Sequence, residues 1–315
     1  MRPISGLVGG VTTVVLGSAL VAFPASAAAA AGRPAAVSSA ICRSSSHPEL
    51  AARLSRDIRA ALRGRVSVAA VGVSDPGRGL DCWLHSSQHF DSASVVKVTI
   101  LGALLRKALD QHRHLTGTEA ALARAMITRS DNDAASALWA ELGHRYLQHF
   151  LDLAKMRQTI LGPAGAWGLT QVTAYNEVLL LRLLLTKNRV LDTASRHYAL
   201  NLMAHVIGSQ RWGVPVGAPS SLTVHVKNGW LPLAPDGWRI HSIGCFTGRG
   251  GGYSIVVLTE DNPTMAYGIA TIETVARVIN RDLNPKAKSV VPRSAVSPSW
   301  GSPDERLAAV SGTHH

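Results

Sequence analysis

The chain is poor in acidic residues and lacks several chemical signatures, and each shortage removes a class of function. Asp and Glu number 20 against 32 Lys and Arg, a formal charge of +12. The basic residues are scattered, with neither Lys/Arg runs nor interleaved aromatics, so no nucleic-acid partner is expected. The three cysteines form no Cys-x-x-Cys, and the thirteen histidines form no His-Glu-x-x-His or other tight ligand set. That argues against metal catalysis, and no cofactor is expected. No repeat of fixed period is present, which removes solenoids and propellers. An Arg-Arg pair for twin-arginine export is missing. Cys42 lies behind Ala40 and Ile41, far from the apolar N-terminal stretch, so it does not read as a lipoprotein cysteine.

The N-terminus carries Arg2, then the uncharged "LVGGVTTVVLGSALVAF", then "ASAAAAAG". A basic start, an apolar stretch and a run of small residues describe a secretory signal peptide over 1–31; the alternative is a retained membrane anchor. Residues 32–41 read as a linker and 42–283 as one domain, long enough for a well-buried core. The segment 284–315, rich in Pro, Ser and charge, reads as a disordered tail. Loss of Arg2 with the signal leaves 12 − 1, about +11. A secreted chain so basic would be held near anionic cell-wall polymers or phospholipid headgroups. It is expected to be a monomer. Three cysteines in an exported protein suggest one bridge, Cys42 with Cys82, and a buried spare, Cys245.

Periodicity orders the domain. "HPELAARLSRDIRAAL" has helical spacing, and "RVSVAAVGVSDPGRGLDCWL" holds two strand-like runs about a turn at Asp75-Pro76-Gly77. Residues 117–156 and 173–208 read as helices. "LTVHVKNG", "WRIHSIGCFT" and "GYSIVVLTE" read as strands, and "AYGIATIETVARVIN" as a closing helix. Strands at both ends of a helical middle predict an α/β fold (α+β type), an antiparallel five-stranded sheet flanked by helices with an all-helical lobe beside it. The cleft between lobes is where a ligand is expected.

Three polar groups stand out. In "FDSASVVKVTI" and the residues after it, Val95–Leu105 is apolar on every side except Lys97 and Thr99. A helix hydrophobic all round is buried, so its lysine needs a reason. Ser94 stands three positions earlier, on the same face; a desolvated amine with a depressed pKa can take a serine proton. The plain alternative is two polar residues at a helix start. "TRSDNDA" sets Ser130 and Asn132 at a break between helices, where alternate residues can point the same way, or simply cap a helix. "VKNGW" puts Lys227 on the polar face of a strand before Gly229. The glycine would let a substrate approach the backbone and the lysine would draw in a carboxylate; otherwise Lys227 is a surface residue before a turn.

Together the ordered set Ser-x-x-Lys, Ser-Asp-Asn and Lys-x-Gly resembles the penicillin-recognising serine hydrolases: the class A β-lactamases and the penicillin-binding D-Ala-D-Ala peptidases. The resemblance covers nearly all of 42–283. It implies Ser94 as nucleophile forming an acyl-enzyme, Lys97 as its base and Ser130 as proton relay to the leaving nitrogen. It further implies Asn132 as a hydrogen-bond partner of the substrate amide and Lys227 as carboxylate attractor. The N–H groups of Ser94 and Trp230, beside Gly229, would hold the oxyanion.

The match fails at one place of chemical weight. Class A β-lactamases carry an Ω-loop glutamate that activates the deacylating water. Here no acid lies between Met156 and Asn176; the first is Glu177, on a helix and no substitute, and Gln171 could orient a water without acting as base. The interval from Ser94 to Ser130 is also short, and Asn228 stands where the family has a hydroxyl. Three readings follow. The first is a secreted β-lactamase-like serine hydrolase that releases its acyl group slowly. The second is a cell-wall D-Ala-D-Ala peptidase or esterase of the same superfamily. The third is a non-turnover penicillin or cell-wall binding module. The ligand is a small-molecule β-lactam or a peptidoglycan-type peptide.

Overall fold

A computed structural model describes residues 41–286 apart from 164, 234–236 and 250. The signal segment, all but the last residue of the linker and nearly all of the tail lie outside the described residues.

The chain opens with β1 (Cys42–Arg43) and α1 (Pro48–Leu62), started by a proline at its first turn. Next come β2 (Val68–Asp75), β3 (Leu80–Leu84) and β4 (Phe90–Asp91). A single 3-10 turn, Ala93–Val95, carries Ser94 and runs into α2 (Val96–Asp110). The helical lobe continues with α3 (Gly117–Thr128), begun by a capping box between Thr116 and Glu119. Then α4 (Asn132–Leu153) follows, kinked at Gly143, whose φ of 66° leaves the helical region. After β5 (Gln171–Val172) come α5 (Ala174–Leu185), α6 (Thr193–Ala204), β6 (Thr223–Pro232), β7 (Trp238–Gly248), β8 (Gly251–Asn262) and α7 (Met265–Leu283).

The main sheet is antiparallel with order β1-β3-β2-β8-β7-β6, so strands from the two ends of the domain meet at β2–β8. It has six strands where five were expected. The sixth, β1, is two residues long, too short to show a period in sequence, and is joined to β3 by the Cys42–Cys82 disulfide. Cys245 is buried, its thiol against the Leu181 carbonyl. Strand alternation fixes the layers. Ile240 and Ser242 of β7 face the side where α7 packs, while Cys245 faces α5. The lobe of α2, α3, α4 and α6 is centred on α2, buried from Val96 to Leu105, with Gly102 against the Phe150 ring.

A second, two-stranded sheet pairs Phe90 with Val172 and Asp91 with Gln171. It brings the stretch between α4 and α5 directly onto the run-in to Ser94. The Gln171 amide is engaged there, donating to the Asp91 carboxylate and to the Leu169 carbonyl.

Glu177, the first acid after Met156, is sealed in the core on α5, and neither carboxyl oxygen has a hydrogen-bond partner. Burial pushes its pKa up to about 8 from 4.5. Below pH 4.5 folded and unfolded chains both carry the proton. From there to about 8 only the folded chain keeps it, so stability falls as pH rises. Glu177→Gln removes this titration: its melting temperature should exceed the wild type's by a margin that widens from pH 5 to pH 8. Parallel melting curves against pH would contradict a buried neutral carboxyl.

Candidate active site

The site is built where three elements meet: the Ser94 turn, the break between α3 and α4, and strand β6. Its first feature is Lys97, 0% exposed on α2. Its Nζ donates to the Ser130 carbonyl at 2.6 Å, to Asn132 Oδ1 at 2.7 Å and to Ser130 Oγ at 3.2 Å. All three acceptors belong to the Ser-Asp-Asn stretch, so the Lys97 amine is aimed at the break between α3 and α4. Ser94, three residues earlier in the chain, is half-buried on the 3-10 turn that runs into α2.

The Ser-Asp-Asn stretch performs both tasks its sequence allows. Asp131 is the cap of α4, its carboxylate accepting from the Ala134 N–H at 2.8 Å. That leaves Ser130 and Asn132 on either side of it to turn toward Lys97. The arrangement is strained: Ser130 has φ 60°, in the left-handed region, and so has Ala93 (φ 45°) next to Ser94. Such conformations in non-glycine residues cost on the order of 1 kcal/mol each and collect at functional sites.

Lys227 is also 0% exposed, which differs from the polar, solvent-facing strand position read from alternation. The helical lobe covers this face of β6: Thr223 at the strand start is open, whereas His225 is enclosed between the Leu200 carbonyl and Thr247 Oγ1. Lys227 Nζ donates to Ser130 Oγ at 2.9 Å and to the Asn228 carbonyl at 2.8 Å. Burial lowers its pKa from 10.5 to about 7. The Ser130 hydroxyl oxygen therefore bridges two buried amines, a short path for a proton between them.

Gly229 closes the triangle. A Cβ there would lie 2.9 Å from the Ser94 nitrogen and 3.0 Å from both the Ser92 oxygen and the Val95 nitrogen. Only glycine lets the strand backbone come this close to the Ser94 turn. Since β6 is the edge of the sheet, its outer backbone groups face the same gap. Asn228 and Trp230 alternate to the other face. Asn228 is buried, its Nδ2 donating to the Gln210 and Trp212 carbonyls at 2.9 and 3.0 Å, and Trp230 packs at 6.2 Å from the Trp212 ring. Asn228 thus fastens the loop before β6 instead of facing the gap.

Two contributors were not legible in the sequence. Trp167, 2% exposed, sets its ring 4.7 Å from Lys97 Nζ and donates its indole N–H to Ser136 Oγ at 3.1 Å. His241, opposite Gly229 on β7, accepts from the Thr259 N–H at Nδ1 and donates from Nε2 to the Asp91 carbonyl at 2.8 Å. Burial holds its pKa at about 4, so it is a neutral brace between the sheet and the strand leading to Ser94. A histidine inside the apolar run "RIHSIGCF" was the available signal.

The fold has solved counterparts. A class A β-lactamase representative from Bacteroides cellulosilyticus superposes with TM-score 0.66 at 17% identity, covering 74% of this chain and 98% of that one. β-Lactamases from Xanthomonas campestris (TM-score 0.65, 18% identity, 74% and 98% covered) and Sphaerobacter thermophilus (0.64, 18%, 73% and 97%) are equally similar. No curated protein sequence matches the chain. The family model described as "Beta-lactamase enzyme family" matches residues 114–283, more than half of the chain. The chain therefore belongs to the β-lactamase enzyme family.

Proposed function

We propose that this protein is a secreted serine hydrolase in which Ser94 forms an acyl-enzyme with β-lactams or with D-Ala-type amides and esters, and releases the acyl group slowly. The observation that carries this is the convergence of Lys97 and Lys227 on Ser130 Oγ, with the Gly229 backbone set against the Ser94 nitrogen. A binding module has no use for two buried amines on one hydroxyl, because each costs several kcal/mol to desolvate.

The chemistry follows from the groups present. The Lys97 amine takes the Ser94 proton as Oγ adds to the carbonyl carbon. The N–H groups of Ser94 and Trp230 hold the developing oxyanion, each such donor typically contributing about 3 kcal/mol. Ser130 gives its proton to the leaving nitrogen and is resupplied from the lysine side. Asn132, whose oxygen is occupied by Lys97, keeps its amide N–H groups for a substrate carbonyl. Lys227 in its ammonium form draws in the substrate carboxylate. Among the described residues no positioned base is found for the next step: Glu177 is in the core and the Gln171 amide is held by Asp91. Without a base, release should fall behind that of an enzyme that has one by about 10² to 10⁴. A cell-wall D-Ala-D-Ala peptidase or esterase is the second reading, favoured by the same absence of an acid at the site. A basic exported chain would work near anionic wall polymers.

Intact-protein mass with penicillin in excess tests the nucleophile: a persistent adduct on the wild type and none on Ser94→Ala is expected. Turnover of penicillin by Ser94→Ala would remove the proposal. Gly229→Ala, which drives a methyl into backbone atoms of the Ser94 turn, should slow acylation at least about 100-fold; near wild-type acylation would show that this contact does not matter. Lys227 adds a pH signature. Its ammonium is present below about 7 and is lost as pH rises through it. Acylation by a carboxylate-bearing penicillin should therefore weaken above pH 7, through KM more than kcat, while a neutral ester escapes that loss. Equal pH profiles for the two substrates would argue against Lys227 as carboxylate attractor.

A further inference from the structure

Lys97 has two unlike sides. Toward the α3–α4 break it meets the oxygens of Ser130 and Asn132; toward the 157–171 stretch it meets the face of Trp167. The indole is anchored there. Its one N–H is spent on Ser136, its surface is almost wholly enclosed, and it stands on the 3-10 turn Trp167–Leu169. That turn is tied to the Ser94 run-in. The Ser92 N–H donates to the Thr170 carbonyl at 2.8 Å and the Ser92 hydroxyl to the Gly168 carbonyl at 3.3 Å. Pairing of β4 with β5 continues the seam.

A water held between the ring and Lys97 would need two to four polar partners. The indole, its N–H already donated, offers none. On the cleft side the situation is reversed, because Ser130 presents a hydroxyl linked to both lysines.

We infer that Trp167 is a positioning residue that closes the Lys97 side of acylated Ser94 to water, so that the acyl group is opened only by a nucleophile entering along the leaving group's exit path. The inference rests on the acyl-enzyme reading above. In the step it describes, the oxygen of water, or the nitrogen of an amine, bonds to the acyl carbon. The nucleophile's proton passes through Ser130 to a lysine amine. The bond from the acyl carbon to Ser94 Oγ breaks, and Ser94 regains a proton from Lys97. The product is a free acid with water and an amide with an amine.

The test is the lifetime of the penicillin adduct after excess drug is removed, followed by intact mass, together with the acylation rate, for wild type, Trp167→Ala and Trp167→Phe. Trp167→Ala should lose its adduct at least tenfold faster than wild type, with the ratio of release to acylation raised. Trp167→Phe, which keeps an apolar ring, should stay within about threefold of the wild-type lifetime. If Trp167→Ala does not fold, Ser136→Ala replaces it: releasing the indole N–H should shorten the lifetime by a smaller factor. Adducts of equal lifetime on wild type and the opened variant overturn the inference and leave the acyl-enzyme reading standing. Absence of any adduct on the wild type overturns that reading and the inference with it.

Discussion

Two lysine side chains wholly removed from water share one serine hydroxyl, and much of the domain is arranged to make that tolerable. An ammonium taken into the interior costs several kcal/mol unless hydrogen bonds replace its hydration. Lys97 finds the Ser130 carbonyl, the Ser130 hydroxyl and the Asn132 amide oxygen; Lys227 finds the same hydroxyl and its neighbour's carbonyl. Three of these acceptors come from one short break between helices. For them to point inward, Ser130 must enter the left-handed region and Asp131 must take over the capping of α4. The strain at Ser130 and the sequence Ser-Asp-Asn are thus consequences of one requirement. Burial also explains why Lys227 falls to about 7 while an exposed lysine stays near 10.5.

The second constraint is close approach. Gly229 against Ser94 and Gly102 against Phe150 are places where a Cβ would meet its neighbour within 3 Å. The first fixes the distance from the edge strand to the Ser94 turn, and the second seats α2 in its lobe. His241, neutral at working pH, adds a brace from β7 to the Asp91 carbonyl three residues before Ser94. The turn is therefore held from the sheet through Gly229 and His241, and from the 157–171 stretch through Ser92. A strained residue such as Ala93 persists when it is held from several directions.

How much of this was readable in the chain depended on whether a residue contradicted its surroundings. Lys97 in an apolar helix did, and so did the split of strands to both ends of the domain, which gave the layered sheet and the helical lobe. Elements too short to have a period did not: β1, β4 and β5 are two residues each and exist through pairing made by the tertiary fold. Alternation along β6 suggested a solvent-facing Lys227 because a strand's own pattern does not report a helical lobe lying over it. Asn228, judged by one missing hydroxyl, read as a loss; in the fold it is a buried clamp on the Gln210 and Trp212 carbonyls. Trp167 was invisible for the opposite reason. A lone tryptophan is core by default, and it is indeed buried, but against a lysine.

That last contact bears on the slow release of the acyl group proposed above. Acylation and release ask different things of the same pocket. The first needs an amine with a lone pair near Ser94 and a proton relay near the leaving group; the proposal assigns these to Lys97 and Ser130, beside Lys227, whose pKa is lowered by burial. The second needs a water held with its proton acceptor on the acyl carbon. Placing a carboxylate beside Lys97 would hold such a water, but it would also stabilise the ammonium and so weaken the case for the amine as the base proposed above. An indole makes the other compromise. It excludes water and carries no formal charge, attracting a cation far more weakly than a carboxylate would. Under the proposed acyl-enzyme mechanism, an indole in this place goes with a long-lived intermediate.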